Sequence, residues 1–176
     1  MSSPRKIENN QEILKRIENS RSDSQNKDEA ITIRLEKYMI IRIKDKKYAL
    51  HADDVREIIG GIPIFFVPFT PSYIRGFINR HGEPYTVIDL TVLFERENLD
   101  STTYLILKKD DDQLAILISD VLEIVKLPET ELHKISSSIN EDDYFIGSIS
   151  PQEQEEIFVL NLQNVLKKLE ADLSGV

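Results

Sequence analysis

Histidine, carboxylate and glycine are the residue types in this chain best suited to chemistry, and their spacing does not assemble them into a reactive set. The three His stand at 51, 81 and 133. None forms the His-Glu-x-x-His spacing that would put two metal ligands on one helical face, so each reads as a solvated or hydrogen-bonded side chain. Acidic groups cluster at Asp110-Asp111-Asp112 and Glu141-Asp142-Asp143, without the alternating oxygen ligands and central Gly of a calcium loop. Both clusters read as solvated turns. Gly60-Gly61 is a turn and not a phosphate cradle, because no Lys-Ser/Thr opens a helix behind it. With no Cys in the chain there is no thiolate nucleophile, disulfide or cysteine zinc site, and no Gly-x-Ser-x-Gly elbow presents a serine. The expectation is a protein that is not an enzyme and needs no metal and no cofactor.

Charge and composition narrow the partners. A formal net charge of −9 repels phosphate backbones, and the Lys and Arg are scattered apart from Lys44-Asp45-Lys46-Lys47, so nucleic acid is excluded as a partner. No apolar run approaches the roughly 20 residues needed to span a bilayer, and no polybasic cluster offers a surface anchor, which argues against direct membrane insertion. The first residues lack the apolar stretch of an export signal. A cytoplasmic location is expected.

The elements that would position any site are mostly strands. Residues 1–29 hold only Ile7, Ile13, Leu14 and Ile17 as sizeable apolar groups, too few to offset the entropy of ordering, and read as a polar flexible tail in which Ile13, Leu14 and Ile17 could line a short helix. From Tyr38 the period becomes two. Met39, Ile41 and Ile43, a Lys/Asp turn and Tyr48-Ala49-Leu50 predict a hairpin. Thr103–Lys108 and Leu114–Ile118 predict a second, whose latter strand is apolar on both faces and therefore central. Tyr73–Asn79 and Pro84–Asp89 predict a third, with Gly82 supplying positive φ in the turn. A helix is predicted over Leu162–Leu169 with Asn161 as its N-cap.

An internal repeat organises these elements. Tyr48-Ala49-Leu50 followed by Val55-Arg-Glu-Ile-Ile59 returns as Ala115-Ile-Leu117 followed by Val121-Leu-Glu-Ile-Val125, Tyr73–Gly76 returns as Tyr144–Gly147, and Val87–Leu90 returns as Val159–Leu162. The period is too long for a solenoid unit and predicts two similar β-barrel halves leaning on a common apolar seam. The fold expected is mainly β: two lobes, approximately 36–100 and 101–170, within a domain spanning 30–172, with strand exchange between the lobes left open.

The segment Pro71-Ser-Tyr-Ile-Arg-Gly-Phe-Ile-Asn-Arg-His-Gly-Glu-Pro-Tyr-Thr-Val-Ile-Asp-Leu90 resembles the signature of CheW-like domains, and Tyr48–Ile58 and Leu114–Val125 resemble that family's flanking hairpin and strand. Coverage is about Tyr38 to Leu169. The resemblance implies two SH3-like five-stranded barrels packed around a shared hydrophobic core, with short helices including one near the C-terminus. It implies an adaptor that couples the regulatory domain of a CheA-type histidine kinase to the cytoplasmic tip of a chemoreceptor, at arrays beside the inner membrane, with other CheW-like domains in array rings as further partners. Position by position, it places partner contacts on Val55, Glu57 and Ile58, on Arg75 and Gly76, and on Asn79, Arg80, His81 and Gly82.

Each of these has a plainer reading: Val55 and Ile58 as core, Gly76 as a backbone packing position, Glu57 and Arg75 as solvated charges. The chain also departs from the pattern. Arg80-His81-Gly82 stands where Leu-Arg-Gly is usual, moving the guanidinium one position and, by strand alternation, to the opposite face; a local bulge at Arg80 is the alternative. An imidazole at 81 imitates the planar cation only when protonated. Ile118-Ser119 replaces a Val-Asp pair, and residues 150–156 are acidic where aliphatics are usual. A second function stays open, a regulatory or small-ligand-binding β-barrel protein with its pocket between the lobes.

Overall fold

Side chains that alternate between apolar and polar can bury one face of a strand, and this alternation sets the architecture from Leu35 onward. The structure, a computed structural model, describes residues 34–95, 97–108, 113–135, 144–153 and 155–174. The expected tail and its helix at Ile13–Ile17, the acidic turns at Asp110–Asp112 and Glu141–Asp143, and the first residues of the expected domain lie outside them.

Eleven strands and two α-helices are formed in the described residues: β1 Leu35–Ile43, β2 Lys46–His51, β3 Val55–Gly60, β4 Ile74–Arg80, β5 Glu83–Ile88, α1 Leu90–Glu95, β6 Thr103–Leu107, β7 Leu114–Ile118, β8 Asp120–Pro128, β9 His133–Lys134, β10 Phe145–Ile149, β11 Ile157–Leu160 and α2 Leu162–Ser174. A 3-10 turn at Ala52–Asp54 joins β2 to β3. The three predicted hairpins and the C-terminal helix are all present. Asn161 caps α2, its Oδ1 accepting the Asn164 amide at 3.2 Å, and Val165, Leu166 and Leu169 bury the predicted stripe.

The strands form two sheets, one in the order β8-β1-β2-β11-β10-β9 and one in the order β3-β6-β7-β5-β4. This is a mainly β protein with few helices. The first sheet carries six strands because the two-residue β9 adds to β10. The two sheets are not contiguous halves of the chain: the boundary expected near residue 100 falls inside the five-stranded sheet, between β5 and β6. By the repeat, β1 to β5 correspond to β6, β7, β8, β10 and β11. Each sheet therefore takes the opening hairpin of one half and the last three strands of the other, joined by the parallel pairs β2·β11 and β5·β7. Strand exchange thus relates the halves, and neither half closes its own sheet.

The exchange explains the single large core. One buried cluster runs through Ile41, Tyr48 and Leu50 of the first sheet, Ile78, Val87, Leu105 and Ile116 of the second, and Leu166 of α2. β7 lies at the centre of its sheet with all five side chains buried, and each Leu or Ile so buried contributes roughly 1.5–3 kcal/mol. A smaller cluster around Tyr38, Ile40, Ala49 and Val159 fills the first sheet alone.

The repeat also reaches irregular detail. β3 is bulged at Arg56 and β8 at Leu122, which are equivalent positions, and β4 and β10 are bulged at Arg75 and Ile146, each one residue before a glycine. A Cβ on Gly76 would stand 2.1 Å from the Phe65 carbonyl oxygen, and one on Gly147 would stand 2.5 Å from that of His133. In both halves an incoming segment crosses against the strand where only a missing side chain leaves room.

Candidate functional site

Most of the residues singled out in the sequence lie on β3 and on the β4–β5 hairpin. These come from opposite edges of the five-stranded sheet, and side chains join them. The guanidinium of Arg80 donates to both carboxylate oxygens of Glu57, Nε to Oε1 at 3.3 Å and Nη2 to Oε2 at 3.0 Å, a two-pronged geometry that fixes orientation as well as distance. One turn of chain away, Arg56 Nη1 donates to the Tyr85 hydroxyl at 2.9 Å, and that hydroxyl donates to Glu83 at 3.0 Å. The bulge at Arg56 lets two successive β3 residues reach across the same gap. The hydrogen bond from Arg80, aided by its charge, holds the Glu57 carboxyl below its ordinary pKa, and Tyr85 is pushed up by desolvation and by its bond to Glu83.

The hairpin tip follows from its two residues. Arg80 pairs with Glu83 across a two-residue turn in which His81 has φ 55° and Gly82 φ 90°, the paired positive values of a type I′ turn. Asn79 steadies it by accepting the Gly82 amide on Oδ1 at 2.9 Å. His81 and Gly82 are exposed. The ladder is regular from Gly76 to Arg80, so the bulge considered at Arg80 is absent there; the irregularity lies at Arg75. Arg80, displaced by one position relative to the family pattern, is engaged by Glu57 and leaves His81 at the tip.

Arg75 and Gly76 have structural duties in the fold. Arg75 Nη1 donates at 3.0 Å to Asp89, a fully buried carboxylate that also accepts the amides of Thr91 at 3.0 Å and Leu99 at 2.9 Å and the Thr91 hydroxyl. Sequence reasoning met Asp89 only as part of a strand, the repeat and the signature, although a carboxylate buried in its ionised form has to be surrounded by donors. Gly76 is buried, with φ 130°, and its role is the close passage of Phe65, whose backbone makes two bonds with Phe77 at 2.8 and 2.9 Å. Val55 packs partly against the large core, whereas Ile58 is 46% exposed, which departs from a core reading.

Two further features were not singled out. Leu122 and Ile124 on β8 are exposed and are the repeat equivalents of Arg56 and Ile58; the repeat itself could have pointed to them. Phe66 and Phe69 are 77% and 100% exposed in the loop between β3 and β4, a run without charge from Gly60 to Ile74.

Among the described residues no group of His, Cys, Asp and Glu could hold a metal ion. A model of the CheW-like domain family matches residues 37–170. The chain belongs to the CheW-like domain family. It is 26% identical over 130 residues to the chemotaxis protein CheW of Helicobacter pylori, covering 72% of this chain and 78% of that one. It is 27% identical over 137 residues to the CheW of Bacillus subtilis, covering 76% and 88%. The crystal structure of the scaffolding protein TtCheW from Thermoanaerobacter tengcongensis superposes with a TM-score of 0.64 at 21% identity, over 73% of this chain and 90% of that one, and shares its fold. Members of the CheW-like family are non-catalytic scaffolds, which agrees with the reading that the chain is not an enzyme, and family membership makes this a chemotaxis coupling or scaffold protein. Among the described residues no helix is long and apolar enough to cross a membrane.

Proposed function

We propose that this CheW-like chain joins the regulatory domain of a CheA-type histidine kinase to the cytoplasmic tip of a chemoreceptor, and that β3 with the β4–β5 hairpin is its principal contact region. The observation that carries this reading is the Arg80–Glu57 pair. It ties the hairpin tip, with Asn79, His81 and Gly82, to the strand that presents Ile58, so residues distant in sequence move as one rigid patch. A scaffold works by holding partners in register, and rigidity of the contact elements is what such a function needs. Exposed Ile58 supplies apolar area and His81 a polar tip. The protein would act in the cytoplasm, at receptor arrays beside the inner membrane, where other CheW-like domains could be neighbours in the rings. Residues 30–172 are the proposed folded domain, with the polar segment 1–29 dispensable to its stability.

Charge exchange tests the brace. In co-precipitation with a CheA regulatory domain and a receptor-tip fragment, Glu57→Arg and Arg80→Glu should each weaken capture of at least one partner, and the double variant should recover it by rebuilding the pair in reverse. Single variants that bind like the parent chain would remove the brace from the account.

A further inference from the structure

Where the two sheets meet α2, packing leaves a cavity of about 270 Å³. Its apolar wall is drawn from both sheets and the helix, with Leu107 ending β6, Ile146 on β10, Leu160 ending β11 and Leu166 on α2. Small-molecule sites favour such seams, where an apolar body can be enclosed and a few polar groups converge at the rim. The rim here holds two opposite charges side by side. The Lys108 amide donates to the Asp54 carbonyl oxygen at 2.7 Å, and both residues line the cavity. Among the described residues neither side chain forms a salt bridge, with the other or with any third group. Asp54 and Lys108 are exposed at the cavity mouth, where His51 lines the same rim beside Asp54, so among the described residues the mouth offers one carboxylate and one ammonium outside any salt bridge.

We propose that this seam cavity binds a small zwitterion bearing an apolar side chain, of the class of a free aliphatic α-amino acid. Its ammonium would meet Asp54, its carboxylate Lys108, and its side chain the Leu107, Ile146, Leu160 and Leu166 wall. Size limits the class, since about 270 Å³ lies just below the usual range of roughly 300–1,000 Å³ for small-molecule pockets and leaves no room for a nucleotide. Partial desolvation raises the Asp54 carboxyl above its ordinary pKa, His51 opposing and Asp53 reinforcing the shift, and a cation seated beside it would offset that cost. The proposal is independent of the coupling reading and can fail without it.

The test is a titration of the full chain with L-leucine, followed by ¹⁵N–¹H correlation spectra. Saturable shifts are expected at the amides of Asp54, Lys108, Ile146 and Leu162. Glycine, isovalerate and isoamylamine each lack one of the three recognised features and should bind at least about tenfold more weakly, equivalent to 1.4 kcal/mol. Asp54→Asn and Lys108→Gln should each weaken leucine binding by a similar factor. Asp54→Asn removes a carboxylate whose ionisation burial disfavours, so it should fold at least as well as the parent; Ile146→Phe provides a second variant that fills the cavity while circular dichroism monitors the fold. Absence of saturable shifts with millimolar leucine, equal binding of a singly charged analogue, or full binding by both charge variants would each overturn the proposal.

Discussion

Gly76→Ala should unfold this protein at a much lower temperature than the parent, and the size of the fall can be built from its surroundings. An added Cβ meets the Phe65 carbonyl oxygen at 2.1 Å and its carbon at 2.9 Å, contacts that backbone atoms cannot relieve by rotating a side chain. Its φ of 130° adds strain of at least about 1–2 kcal/mol for a residue with a Cβ. Moving Phe65 away breaks two backbone bonds with Phe77, worth about 0.5–1.5 kcal/mol each. It also disturbs the ring stack at 5.3 Å between centroids, worth roughly 0.5–1.5 kcal/mol. The sum is about 3–6 kcal/mol, which at roughly 3–4 °C per kcal/mol lowers Tm by about 10–20 °C. Gly147→Ala carries the clash without the φ strain and should cost less, and Gly82→Ala, with φ 90° but open space around it, should lose only about 1–2 kcal/mol. Differential scanning calorimetry of the three variants gives the order. A fall for Gly76→Ala below about 3 °C, under 1 kcal/mol on this scale, would refute the close approach. Loss of partner binding by a Gly76 variant therefore reports on folding before it reports on contact.

Asp89→Ala would leave Arg75 and two buried amides without their acceptor and should destabilise by about 3–5 kcal/mol, visible in urea denaturation, whereas an unchanged midpoint would contradict the buried anchor. Glu57, Glu97 and Asp172 are each held below the ordinary carboxylate pKa, first by side-chain hydrogen bonds from Arg80, Lys44 and Lys168 respectively. Depressed acids contribute stability that is complete above the unfolded-state pKa near 4 and is lost as pH falls through the lower folded values. Tm should thus hold steady from neutral pH down to about 5 and decline below about 4.5, less steeply in Glu57→Gln, and a parallel decline in that variant would remove Glu57 from the effect. Deleting residues 1–29 should leave Tm almost unchanged, and a fall of many degrees would place the domain boundary earlier in the chain.

The strands were legible because alternation is local: Met39, Ile41 and Ile43 announce β1, and Leu114–Ile118 announces a central strand, without reference to anything distant. The repeat was legible for the same reason, and it placed Gly76 opposite Gly147 before the carbonyls of Phe65 and His133 gave that match its cause. Strand exchange was not legible. Which hairpin pairs with which later strand is decided by the parallel contacts β2·β11 and β5·β7, between segments far apart in sequence, and similar halves have edges that suit either partner. The candidate site was legible as a set of positions, not as an arrangement. Nothing in the spacing of Glu57 and Arg80 reveals that β3 and β4 are opposite edges brought face to face. Resemblance places Arg75 among the contacts and its plainer reading is a solvated charge; its bond to buried Asp89 was not legible, because 14 residues of sequence separate the two and a bulge and a strand pairing bring them together.

The most direct test of the coupling account is Ile58→Glu in a reconstituted assembly of this chain, a CheA-type kinase and receptor-tip fragments. Ile58 is half-exposed, so the variant should fold with a Tm close to the parent's. Sedimentation should show that it no longer brings kinase down with receptor. Co-sedimentation equal to that of the parent, with Tm unchanged, would contradict the claim that β3 and its braced hairpin form the coupling surface.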